Sequence, residues 1–148
     1  MTSTDRYLSE VCELLIDSRL GYGDASRRAD HPRLKSLLAN IGESRVSMIA
    51  KVANTIERTG TSVPRNGTFK GTLHRVWMAV RDIISSTDDV NMIAECERGE
   101  SYLIGRYDLT LKLSELSEDL RTMLVGQRAD LMSNLMEIQA VNLTLSKA

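Results

Sequence analysis

Glu95, Glu97 and Glu100 stand close together in the run Glu95-Cys96-Glu97-Arg98-Gly99-Glu100. Carboxylates at that spacing can ligate a metal, pass protons, or pair with cations. If Cys96 marks the centre of an apolar helical face, steps of about 100° per residue put Met92, Leu103 and Tyr107 within about 40° of it. Glu100 falls inside that stripe, whereas Glu95 and Glu97 lie about 100° to either side. A carboxylate aimed at a core needs a metal, a cation or a hydrogen-bond donor, because an unpaired buried charge is too costly. Which of these Glu100 has decides between a catalyst and a scaffold. Glu95 and Glu97 read more simply as a solvated face, paired with neighbours such as Arg98.

The elements that must position Glu100 are helices. The chain has 148 residues, enough for one domain with a continuous core. An apolar stripe of Leu8, Val11, Cys12, Leu15, Tyr22 and Ala29 predicts a first helix from about Asp5 to Ala29, with Ser3 or Thr4 as its cap. Pro32 suits the first position of a second helix capped by Asp30 or His31, which runs to about Arg58 before Gly60. Residues 60–68 read as a loop, and Phe69 to about Ser85 as a shorter helix carrying Trp77. Ser86 to Asp89 cap a third long helix from about Val90 to Lys112, and a fourth covers roughly Glu118 to Leu145. No segment alternates as a strand would, so the expected fold class is all-α. Short connections make neighbours antiparallel, and the long one between the second and third long helices can run the length of the bundle. That topology is a ferritin-like four-helix bundle with a helix 2–3 crossover containing a short extra helix. Gly21, Gly23, Gly99 and Gly105 read as sites of close helix approach.

Composition narrows the function. Lys and Arg number 19 against 20 Asp and Glu, so no global field attracts nucleic acid or an anionic membrane. Arg27, Arg28, Arg33 and Lys35 read as a solvated helix junction. Aromatic residues are too few for base stacking. Cys12 and Cys96 fall on apolar stripes and read as buried thiols of a reducing cytoplasm. No apolar run is long enough to span a membrane, and no secretion signal opens the chain. The last helix carries Met132, Met136, Val141, Leu143 and Leu145, more apolar surface than one inward stripe requires. The expected partner is a second copy in a homodimer, or another protein.

Two runs, Gly71-Thr72-Leu73-His74-Arg75-Val76-Trp77-Met78 and Ala94-Glu95-Cys96-Glu97-Arg98-Gly99-Glu100, resemble signatures of a bacterial family of uncharacterised ferritin-like four-helix-bundle proteins. Asp17, Gly21-Tyr22, Ala25 and Arg45 support the resemblance, which covers nearly the whole chain. It implies a fold more than a reaction, although some neighbouring bundles hold two irons.

A di-iron bundle needs a Glu from each of two helices and Glu-x-x-His from each of two others. Here Arg28 precedes His31 by three residues and Gly71 precedes His74, so neither histidine fits that pattern. Where related bundles present a Glu ahead of Gly21-Tyr22, this chain has Ser18, Arg19 and Leu20. The inward positions of the second helix are Ser44 and Arg45, and those of the last helix are Gln127, Leu131, Asn134 and Leu135. The expectation is that Arg19 and Arg45 pair with Glu100, with Tyr22, Gln127 and Asn134 completing a polar network where a metal site has been lost. Either arginine snorkelling outward is the competing structural reading. The functional expectation is therefore a non-enzymatic structural or protein-interaction bundle with no cofactor. Its alternatives are a metal-binding oxidoreductase or iron-handling protein using Glu95, Glu97 or Glu100, and a binder of a small carboxylate at the Arg19–Glu100 cavity. His74 with Trp77 reads as a helix-end plug rather than a ligand anchor.

Overall fold

In the computed structural model, which describes residues 2–59 and 88–146, four helices account for nearly all of the described chain. They are α1 (Ser3–Arg28), α2 (Pro32–Thr59), α3 (Asp89–Leu111) and α4 (Glu118–Ser146). No strand occurs among the described residues. The shorter helix expected over 69–85, with His74 and Trp77, lies outside them. Among the described residues no helix is long and apolar enough to cross a membrane.

Local chemistry sets the ends. Thr2, not Ser3 or Thr4, caps α1: its hydroxyl accepts from the Asp5 N–H at 3.1 Å, and the Asp5 carboxylate accepts from the Thr2 N–H at 3.2 Å. The C-terminal carbonyls of α1 receive the Lys35 ammonium, 2.9 Å from Ser26 O and 3.0 Å from Arg27 O. Pro32 opens α2, and His31 Nδ1 accepts from the Arg33 N–H at 3.2 Å. Asp88 caps α3 by accepting from the Asn91 N–H. Arg121 donates to Leu111 O and Leu113 O at 2.6 and 3.0 Å, which closes the turn between α3 and α4.

α1 packs on α2 and α3, and α4 packs on the same two, so α2 and α3 face each other across a diagonal. Directions follow from the bonds between helices. Glu10 near the start of α1 meets Arg106 near the end of α3, and Asp89 at the start of α3 accepts from the His31 N–H just past α1 at 2.9 Å. Between α2 and α4, Gln127 donates to Met48 O at 3.1 Å near mid-length, and Arg33 at the start of α2 donates to Thr144 near the end of α4 at 3.2 Å. Adjacent helices are therefore antiparallel and α2 and α3 parallel. The end of α2 and the start of α3 thus lie at opposite ends of the bundle.

The core is a seam of Leu, Ile, Val and Met from all four helices, with Leu8, Leu15, Leu38, Val52, Ile93, Leu103, Leu124 and Leu131 fully covered. α1 and α2 come close at Gly42, where a Cβ would touch Tyr22 Cβ at 3.4 Å. The reading of Gly105 as a contact glycine is corrected, since a Cβ there meets nothing within 4 Å. At Gly23 an added Cβ meets nothing nearer than an Arg27 guanidinium nitrogen at 3.6 Å.

Candidate functional site

At mid-length a polar network replaces the apolar seam, and every helix contributes to it. Arg45 on α2 and Glu100 on α3 are both 0 % exposed. Arg45 Nη2 donates to Oε1 and Oε2 of Glu100, each at 2.6 Å. The Tyr22 hydroxyl of α1 donates to the same Oε1 at 2.8 Å, and its ring centroid lies 5.4 Å from the guanidinium carbon. Beside this cluster the Tyr107 hydroxyl donates to Gln127 Oε1 at 2.6 Å, and Gln127 passes its own N–H to Met48 O. Arg45 Nη1 contacts the Met48 sulfur at 3.8 Å, so the two clusters share Met48.

The pairing has a definite geometry. One nitrogen of Arg45 serves both carboxylate oxygens, in place of the parallel two-nitrogen fork that Arg and carboxylate usually form. Arg45 Nε is left buried without a hydrogen-bond partner. Burial, the largest single effect, pulls the Arg45 pKa down, but the charge of Glu100, Tyr22 and the hydrogen bond to Glu100 together outweigh it and the net shift is upward. Burial, then Glu100, pushes the Tyr22 phenol well up, and burial does the same for Tyr107. The Cys96 thiol is pushed up to about 12 by burial and then by Glu100, Glu95 and Glu97. Its nucleophilic form is therefore strongly disfavoured at ordinary pH. The tyrosines act here as donors, and the guanidinium remains a fixed positive charge.

The predicted site residues separate. Arg45, Glu100 and Tyr22 meet directly, and Gln127 joins through Tyr107 and Met48 rather than through Glu100. Arg19 does not enter and is exposed, lining an open groove of about 390 Å³ with Leu20, Gly23 and Glu43. The buried arc of α1 centres between Tyr22 and Ser18 and includes Leu14, Gly21 and Ala25. Arg19 lies about 60° from Tyr22 on the other side of that arc, so its side chain emerges at the edge of α2. Asn134 is half-exposed, beside a groove with Ser44, Ser47 and Asp130, and forms no hydrogen bond to the network. Seven residues past Gln127 carry it about 10 Å further along α4. Glu95 is also corrected: it is buried rather than solvated, with Arg98 closing over its carboxylate at 3.1 Å.

Two features were missed. Tyr107 was placed on the inward stripe but given no partner, although a buried phenol must find one. Glu10, 4 % exposed, pairs with Arg106 at 2.5 Å, and that guanidinium lies 5.5 Å from the Tyr7 ring centroid. Glu10 lies at the α1–α3 edge, outside the stripe by which α1 was read.

A carboxylate-bound metal does not fit these side chains. Arg45 claims both oxygens of Glu100, Arg98 holds Glu95, and Glu97 is half-buried on another face. Among the described residues, no group of three or more His, Cys, Asp or Glu side chains is placed to hold an ion.

Over the described residues, fold and site together define an all-α arrangement of four helices with a paired charge at its centre. Residues 3–113 match the model of a family described as a domain of unknown function, DUF2383, and the chain belongs to that family. No curated protein matches the sequence. The matched span contains Tyr22, Arg45, Glu100 and Tyr107, while Gln127 and all of α4 lie beyond it.

Proposed function

We propose that this chain is a non-enzymatic structural or protein-interaction bundle, a ferritin-like scaffold in which a charged network occupies the volume where related bundles keep metal. The observation that carries this reading is the fully buried Arg45–Glu100 pair completed by Tyr22. A cation delivered by the protein itself neutralises the one carboxylate at the bundle's centre. The parallel directions of α2 and α3 support the ferritin-like part of the reading. The network's role is registry. A buried ion pair adds little net stability over an apolar filling, yet it penalises any sliding of α2 against α3 that would strand a charge. Two free cysteines suit a reducing cytoplasm.

Metal analysis of the full chain, purified after growth with added iron, tests the proposal. The expected result is iron far below one equivalent per chain, unchanged in Glu100→Gln. Near two equivalents, lost on substituting Glu95, Glu97 or Glu100, would establish the metal-binding oxidoreductase or iron-handling alternative instead.

A further inference from the structure

We propose that the outward face of α4 is covered by a second copy of this chain, its α4 antiparallel to the first about a two-fold axis near Met132. This names the partner for the interaction role above and rests on that reading.

α4 is apolar on both sides. Leu120, Leu124, Leu131 and Ile138 face the core, while Val125, Met136 and Leu143 are 53, 64 and 63 % exposed on the opposite side. Between Thr122 and Met136 the outward arc also carries Gly126, Ala129, Met132 and Ser133, and no charge. A helix apolar on two opposite sides has a second surface to bury. Of the other exposed large apolar side chains, Ile16, Leu20 and Val46 lie on α1 and α2, where Leu20 shares a groove with Arg19, Asp24 and Glu43. Val90 and Leu109 stand far apart on α3, so none makes such a continuous strip.

Charge at the two ends of the strip identifies the occupant. Asp119 lies exposed in the first turn of α4 and makes no ion pair among the described residues. At the far end Arg33 is exposed, held beside α4 by its bond to Thr144. Asp119 and Thr144 are 25 positions apart, which returns them to within about 20° on the same edge of the helix. A two-fold axis lying in the contact plane and perpendicular to α4 keeps that edge in place and reverses the ends. Arg33 of each copy then meets Asp119 of the other, twice over, in a register centred beside Met132 within the uncharged strip. In a parallel pair the axis would run along the helices, and Arg33 of one copy and Asp119 of the other would stay at opposite ends and never meet. The same patch thus serves both copies, as a two-fold interface requires.

Sedimentation equilibrium of the full chain over a concentration series tests this. The parent should dimerise, and Met136→Glu should raise the dissociation constant about 30-fold or more while the circular dichroism stays that of the parent. Arg33→Asp and Asp119→Arg should each weaken the dimer, and the two together should restore it. A parent that is monomeric throughout, a dimer indifferent to Met136→Glu, or charge reversals without rescue would each overturn the proposal. A metal-free monomer would sink this inference alone, whereas an iron-loaded dimer sinks the non-enzymatic reading and leaves the α4 interface standing.

Discussion

Arg45 reaches across the bundle diagonal to place one guanidinium nitrogen 2.6 Å from both oxygens of Glu100, with neither side chain touching solvent. The pair is the only polar link described between α2 and α3, which otherwise meet through their neighbours. Removing Arg45 leaves a stranded carboxylate. Arg45→Met should cost about 3–5 kcal/mol, and Arg45→Met with Glu100→Leu should recover most of it. Urea unfolding of the two variants and the parent decides the matter. Equal stability of single variant and parent would mean that the pair does not form. The exposed Arg19 is the control, and Arg19→Ala should stay within about 0.5 kcal/mol of the parent.

Tyr22 shares Oε1 of Glu100 with Arg45, and its side chain is fully buried. Tyr22→Phe keeps the ring under the guanidinium and deletes only the donor. Hydrogen bonds to charged groups contribute about 1.5–3 kcal/mol, so the unfolding midpoint should drop accordingly with an unchanged m-value. A loss below about 0.5 kcal/mol would show that the hydroxyl is not engaged.

Gly105 and Gly42 should respond oppositely to alanine. Nothing lies within 4 Å of a Cβ at Gly105, so Gly105→Ala should gain about 0.4–1 kcal/mol from reduced unfolded-state freedom. At Gly42 the new methyl meets Tyr22 Cβ at 3.4 Å and the backbone of Gly23 at 3.6 Å. Crowding the residue that holds Glu100 should cancel the propensity gain or reverse it. Thermal melts of the two variants side by side supply the comparison.

The cysteines predict an alkaline limit. The Cys96 thiol lies at about 12 in the folded chain against an ordinary value of 9.0, and Cys12 at about 11. Folding therefore favours the neutral thiol. That contribution is complete below pH 9.0, declines as the unfolded chain ionises above it, and is lost as pH rises through the folded values. Stability should fall between pH 9 and about 12, and Cys96→Ala should flatten the fall. A disulfide reagent at neutral pH should label Cys96 only after denaturant is added. Rapid labelling of the native chain would contradict its burial.

Much of this was legible along the chain. Period, caps and breaks placed the four long helices to within a few residues, since Pro32, Asp88 and Ser117 act on their own local backbone. The inward aim of Arg45, Glu100 and Tyr22 followed from angle alone. The cap of α1 was misplaced by a residue or two because Thr2, Ser3 and Thr4 are all good caps, and only the reciprocal bond with Asp5 chooses among them.

Composition and periodicity by themselves determined the all-α class, the near-neutral charge and the presence of ionisable side chains on core-facing stripes. Tertiary packing decided which of those side chains meet. A helical angle tells which way a residue points, but not how wide an arc its neighbours cover. The arc of α1, set by its two flanking helices, left Arg19 at the surface and drew Glu10 inside. Tyr107 and Gln127 likewise found each other only because α4 stands beside α3 at that level, a separation along the fold that no local pattern encodes.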